Sequence, residues 1–278
     1  MPLNLPVFYT RTISSVFFVA IMLTGLLFNA MAFTLLIGLI HFLCMREYFR
    51  LLPLITPGLQ RQPWQYVAIQ VLGIFCIILY FNPENDFPGS YHIIHLFTTI
   101  IPVIPIMFFL IAIVRKNDAF MGTLQSFGGF LYISLPMIML QYLYQYHSIY
   151  IPVTLIAFIW INDTMQYIIG SFFGKTPLSE ISPKKTWEGT IGGTLLTVIV
   201  AIVAQIFIKI EMVNFIALAL CAGIAGTFGD LLESKLKRMA GVKDSGTLMP
   251  GHGGALDRFD SLLVATPFAC AVYMYHYF

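Results

Sequence analysis

Charge is scarce in this chain: Asp, Glu, Lys and Arg make up only 10% of its 278 residues, against 58% hydrophobic residues. Ordinary globular proteins carry about a quarter charged residues, and a soluble fold with so few could not cover its surface. The scarcity excludes a soluble enzyme or binding module and leaves a membrane protein. One lipid-embedded domain over 1–278 is the simplest division. Cysteine carries no site either. Cys44, Cys76, Cys221 and Cys270 are widely spaced in apolar runs, without metal-ligand spacing or a disulfide framework, and read as core or lipid-facing thiols. No GxxxxGK[ST] loop occurs, so nucleotide binding of the Walker type is excluded. Repeats and low-complexity segments are absent as well, and a net charge of +2 is too small to suggest nucleic-acid binding.

What the chain has in abundance is apolar sequence of membrane-crossing length. About 20 apolar residues span a bilayer. On that measure spans fall near 12–28, 30–46, 65–81, 91–114, 119–144, 151–172, 191–208, 213–233 and 262–278. The apolar run from Ile13 to Met45 is too long for a signal-peptide core, and it reads as two spans with a tight turn near Asn29. Charge sidedness is an independent check. With nine spans and a cytoplasmic N-terminus, 14 of the 15 basic residues fall inside and only Lys209 falls outside, while 82–90 and 145–150 hold no Lys or Arg. That asymmetry is what the positive-inside rule predicts. The expectation is an all-α polytopic integral membrane protein.

Two stretches, Asp163–Gly189 and Gly229–Asp260, concentrate what charge there is: eight of 13 acids and eight of 15 bases. An ionisable group in or beside a span is costly unless paired or hydrated, so each is a functional candidate. In the first stretch Asp163 and Tyr167 share a helix face, and the loop SPKKTWEG offers Ser182, Lys184, Lys185 and Thr186 to phosphate. Trp187 reads equally well as an interfacial anchor. In the second, Asp230, Glu233, Ser234 and Lys237 fall at i, i+3, i+4 and i+7 and share one face. Lys235, Lys237 and Arg238 could instead be snorkelling anchors, a reading that leaves the two acids without a purpose.

The loop that follows holds Gly246, Pro250, Gly251, Gly253 and Gly254, flanked by Lys243, His252 and Arg258. Glycines let backbone N–H groups approach an anion, so the loop reads as a phosphate cradle. Asp257 and Asp260, one turn apart, suit a helix N-terminus; with Asp230 they could gather Mg²⁺, which takes hard oxygen ligands and substrate phosphates. Other polar residues promise less. His41, His92 and His95 read as packing or interfacial residues, and Tyr142, Tyr144, Tyr146 and Tyr150 as an interfacial belt; Arg46, Glu47 and Arg50 could approach a lipid phosphate, but a topogenic role suffices.

These residues resemble a known family. Ser234-Lys-Leu-Lys237-Arg238, Lys243-Asp244, His252-Gly253-Gly254 and Asp257-Arg258-Phe-Asp260 look like the C-terminal signature of phosphatidate cytidylyltransferases, the bacterial CDP-diacylglycerol synthases. Gly229-Asp230-Leu-Leu-Glu233 matches the run leading into it, and Ser182–Gly189 resembles the family's polar loop. The match is dense over 163–262. It departs at Ala255, where a larger aliphatic is usual, and at Met165-Gln166, which replace small residues; both bear on packing or fine substrate choice.

The resemblance implies a homodimeric enzyme of the cell (inner) membrane, its site facing the cytoplasm within 163–262, that joins CTP to phosphatidic acid and releases pyrophosphate. It further implies a Mg²⁺ site using the acids that match Asp230 and Asp257, with K⁺ as a monovalent partner, and roles for Asp260 and Asp244. Lys237, Arg238, Lys243 and Lys184 are then expected to clamp phosphates, with Asp163, Ser182, Lys185, Ser234, His252, Gly253, Gly254 and Arg258 around the substrate. Two rival readings are a CTP-dependent lipid-alcohol kinase and a membrane transporter with acids at helix breaks. The crowding of charge on one side speaks against the transporter, and a CDP-alcohol phosphotransferase is disfavoured because its DGxxAR…GxxxDxxxD pattern is absent.

Overall fold

A computed structural model describes residues 5–59, 63–81, 119–207, 212–248 and 253–275; the expected span 91–114 and the loop 82–90 lie outside these residues. Where lipid replaces water, a backbone must satisfy its own polar groups, and a helix does so within one segment. Helices α1 (Leu5–Leu27) and α2 (Ala30–Ile55) meet at the turn expected near Asn29. The Asn29 side chain caps α2 by accepting a hydrogen bond from the Ala32 N–H at 2.7 Å. Helix α3 is Pro63–Leu79. Helices α4 (Ala119–Gly129) and α5 (Leu135–Tyr146) continue one another through a π-helical turn, Phe130–Ser134.

Helices α6 (Tyr150–Phe173) and α7 (Trp187–Ala204) follow. Helix α8 (Met212–Leu220) passes through a second π-turn, Cys221–Ala225, into α9 (Gly226–Met239), and α10 is Leu256–Tyr275. Among the described residues five segments are long and apolar enough to cross a membrane: Ala30–Ile55, Met121–Tyr146, Tyr150–Phe173, Trp187–Ala204 and Asn214–Met239. The chain is a polytopic membrane protein, and the named elements among its described residues are all helices. The largest shift from the expected span ends is at α2, which does not stop at 46 where charge begins but runs to Ile55, carrying Arg46, Glu47 and Arg50 within the helix.

Helices in lipid gain little by exchanging lipid contact for one another; close packing of small residues and interhelical hydrogen bonds hold them together. His41 is buried and lies 2.8 Å from the Ser134 hydroxyl and 3.2 Å from the Gln70 amide. Gln141 donates to Thr34 at 2.9 Å and Gln65 to Thr123 at 2.8 Å. His41 therefore has the packing role expected of it. The tyrosine belt is only partly a belt. Tyr144 is buried and stacks on Phe33 with centroids 3.9 Å apart, and Tyr142 and Tyr146 meet Tyr80 edge-on, whereas Tyr150 is exposed. The four cysteines are free, and Cys44, Cys76 and Cys270 are buried as apolar thiols would be.

The contact that positions the site is between α6 and α7, which lie backbone to backbone. A Cβ at Gly193 would fall 2.8 Å from the Gln166 backbone nitrogen, and one at Gly189 would fall 3.0 Å from the Gly170 Cα. Replacing Gly193 by valine is expected to force the pair apart at a cost of about 1–3 kcal/mol, read as a lower midpoint of thermal unfolding in detergent. An unchanged midpoint would show that the two helices can separate freely.

Candidate active site

The loop between α6 and α7 is a short hairpin. Trp187 N–H donates to Thr176 C=O at 2.9 Å and Leu178 N–H to Lys185 C=O at 2.8 Å, around an antiparallel bridge between Pro177 and Thr186. Two side chains fix its base. Thr186 caps α7 by accepting from the Gly189 N–H at 3.1 Å, and Glu188 reaches back to accept from the N–H groups of Lys175 and Thr176, each at 3.1 Å. A carboxylate in the first turn also suits the positive end of the helix dipole. The hairpin tip is thereby held over the α6–α7 contact and presents Ser182, Lys184 and Lys185.

Beneath it lies a cavity of about 580 Å³, within the range of small-molecule sites. Ser182, Lys184 and Lys185 line one wall, Asp163 of α6 and Asp230 of α9 the other, with Gly170 and Gly189 between them. Lys185 and Asp230 are ion-paired across the space, and the Ser234 hydroxyl donates to Asp230 Oδ1 at 3.2 Å, one turn along α9. The charges of Lys185 and Arg258 act on Asp163, and those of Asp230, Asp163 and Lys185 act on Asp260. Asp260 itself is buried and accepts from the Ser261 N–H at 2.7 Å. Asp260 is not among the described residues lining the cavity; α10 brings it close to α9 because α9 presents Gly229 there, where a Cβ would fall 2.9 Å from the Ser261 Cα. Gln166 also lines the cavity and donates to the Thr227 hydroxyl at 2.6 Å, tying α6 to α9. Of the two roles expected for this departure from the family pattern, packing or fine substrate choice, the Thr227 contact is of the first kind and the place in the cavity wall of the second.

Asp257 is placed differently. It is not among the described residues lining the cavity. Its Oδ1 accepts from Lys237 at 2.6 Å, and its Oδ2 accepts from the N–H groups of Ser245 at 3.0 Å and Gly254 at 2.7 Å. Lys237 also pairs with Glu233, one turn before it, at 2.5 Å, and the Glu233 carboxylate is fully buried. The face expected to hold Asp230, Glu233, Ser234 and Lys237 is thus real, but its lower half is closed into a Glu233–Lys237–Asp257 chain.

The remaining candidates divide in the same way. Lys243, Asp244 and Arg258 are exposed, Arg238 Nη1 lies 3.4 Å from the Val242 C=O at the end of α9, and His252 lies outside the described residues. Gly253 has φ +86°, a backbone that favours glycine. Of the loop glycines Gly254 has its N–H bound to Asp257, the N–H groups of Ala255 and Leu256 that follow are bound to Glu47, and Pro250 and Gly251 lie outside the described residues.

Two of those three N–H groups go to a residue that sequence reasoning passed over. Glu47 of α2 is buried and accepts from Ala255 and Leu256, both at 2.9 Å, with the Ser245 hydroxyl 2.7 Å away. The one available signal was an acid within an apolar helix, which its basic neighbours Arg46 and Arg50 made look topogenic. Chemically, cations and a hydroxyl facing carboxylates across a cavity can hold a polyanion together with a metal ion; neither sign alone could.

A profile described as the cytidylyltransferase family matches residues 9–276. A protein named phosphatidate cytidylyltransferase from Staphylococcus saprophyticus is 43% identical over 132 residues, covering 46% of this chain and 51% of that protein. One of the same name from Haemophilus influenzae is 39% identical over 140 residues, covering 48% and 47%, and one from Bacillus subtilis is 44% identical over 113 residues, covering 40% and 42%. The chain spans about half the length of the curated relatives it matches.

Proposed function

Because the chain belongs to the cytidylyltransferase family, we propose that it transfers the cytidylyl group of CTP to phosphatidate, making CDP-diacylglycerol and pyrophosphate for phospholipid synthesis. The observation that carries this reading is the cavity between α6, α7 and α9, where lysines of the hairpin face aspartates on helices that cross the membrane. Such a site can meet CTP from water while the acyl chains of phosphatidate stay in lipid. The concentration of basic residues on one side supports nine spans, a cytoplasmic N-terminus and a site open to the cytoplasm of the cell's inner membrane.

A phosphate oxygen of phosphatidate attacks the α-phosphorus of CTP in line. The new O–P bond forms as the bond to the β-phosphate oxygen breaks, and pyrophosphate leaves. A phosphate monoester is already anionic near neutral pH, its second pKa being about 6, so no strong general base is required. Catalysis then rests on positioning and on neutralising charge as it develops. Lys184 and Lys185 clamp phosphates from the hairpin, Ser182 adds a hydroxyl, Lys243 approaches from the loop after α9 and Arg258 from the first turn of α10.

Carboxylate oxygens are the donors Mg²⁺ takes, usually one or two of them with the rest supplied by water and substrate phosphates. Asp163 and Asp230, both on the cavity wall opposite the hairpin lysines, supply donors of that kind. Asp230 would hold the ion from the cavity wall, with K⁺ beside it; Asp257, the second acid the resemblance implies, would join only by exchanging its bonds to Lys237, Ser245 and Gly254 for the ion. Bound there, it would neutralise charge on the departing pyrophosphate.

The purified protein, given phosphatidate, Mg²⁺ and CTP labelled in the α-phosphate, is expected to place the label in a lipid and to release pyrophosphate. Release of CDP with transfer of the γ-phosphate would overturn the proposal in favour of a lipid kinase.

A further inference from the structure

Glu47 takes no part in the chemistry above, yet its surroundings are built around it. It sits on α2, 198 to 209 residues from its partners in the chain. The first N–H groups of a helix have no partner within it. In α10 those of Ala255 and Leu256 are taken up by Oε1 and Oε2 of Glu47, so that a distant helix supplies the cap. The Ser245 hydroxyl stands between two carboxylates, 2.7 Å from Glu47 Oε2 and 3.0 Å from Asp257 Oδ2. With one proton, it serves one of them at a time. The glycines on either side of this point fit the same purpose: a Cβ at Gly246 or at Gly254 would lie 2.6 Å from the Glu47 carboxyl carbon.

We propose that Glu47 is a positioning residue that seats Ser245 and, through Ala255 and Leu256, the start of α10, and so sets where the neighbouring cations Lys243 and Arg258 meet the phosphates of the nucleotide. The proposal rests on the cytidylyl-transfer reading. The seat needs both carboxylate oxygens. An amide offers one acceptor and turns an NH₂ group toward a backbone N–H, so Glu47→Gln keeps the shape and loses at least one bond to a charged acceptor.

Two measurements on the full-length protein in nanodiscs test this. Amide hydrogen exchange at Ala255 and Leu256 is expected to quicken about tenfold or more in Glu47→Gln, with exchange in α6 and α7 unchanged. The KM for CTP is expected to rise about tenfold while that for phosphatidate stays within about twofold. Glu47→Asp, which keeps both oxygens one methylene short, should recover part of the loss. Ser245→Ala, which removes only the bridging hydroxyl, should raise the KM for CTP about threefold and covers the case in which Glu47→Gln does not fold.

Unchanged exchange overturns the proposal. So does a fall in kcat with both KM values unchanged, since that is what a smaller folded fraction produces. If the parent protein turns over no CTP with phosphatidate, the preceding reading fails instead, and exchange at Ala255 and Leu256 alone decides whether Glu47 seats the start of α10.

Discussion

Asp230→Asn is expected to lower formation of the CTP-dependent lipid product at least about a hundredfold, with a thermal midpoint within a few degrees of the parent. The two halves of this expectation have separate causes. Asp230 faces the cavity opposite the lysines, where a carboxylate can hold a cation against phosphates; asparagine keeps the volume and removes the charge. Its structural partner is Lys185, and both side chains remain partly exposed, at 21% and 31%. Breaking an ion pair of that kind costs about 1 kcal/mol or less, because water takes over the freed lysine. The checks are product formation at saturating CTP and thermal unfolding of the same preparation. Activity within about tenfold of the parent would remove Asp230 from the chemistry.

Lys237→Met should show the opposite profile, a folding defect first. Lys237 bridges Glu233 at 2.5 Å and Asp257 at 2.6 Å, and the side chains of the two acids are only 0% and 7% exposed. Taking away the shared cation leaves two acids in a poor place for charge, and removing one member of a buried pair costs about 3–5 kcal/mol. Asp257 keeps its bonds from Ser245 and Gly254, whereas among the described residues no backbone N–H or hydroxyl donates to Glu233. Glu233→Gln added to Lys237→Met should therefore recover most of the lost stability, as a double-mutant cycle in detergent would show. A single variant as stable as the parent, or a second change that restores nothing, would mean the lysine is not the counterion.

The contrast between Asp230 and Asp257 shows what a sequence can and cannot convey. Span positions were legible because hydropathy is summed over some 20 residues and tolerates local error; α6 and α7 lie within a few residues of expectation. The shared face of α9 was legible too, since i, i+4 and i+7 spacing is a property of one helix. The two π-turns were not, because a single extra residue per turn leaves an apolar pattern unchanged. Nor were the partners of Asp257, since Lys237 stands 20 residues away at no helical spacing. Glycine identity was visible in the C-terminal loop, but its cause was not: the space around Gly246 and Gly254 is filled by Glu47, from the other end of the chain.

That last arrangement has a bearing on biogenesis. Membrane helices are inserted in the order of synthesis, so α2 enters the bilayer long before the residues its acid is to bind have been made. Until Ser245, Ala255 and Leu256 emerge, the nascent chain carries a carboxyl group without the donors it is to bind, a condition that favours a nearby water molecule. The receptor for the final turn is thus in place first and waits for its ligand. A C-terminal fragment expressed alone would carry Asp163, Lys184, Lys185 and Asp230 of the cavity and still lack the piece that lets its last helix begin.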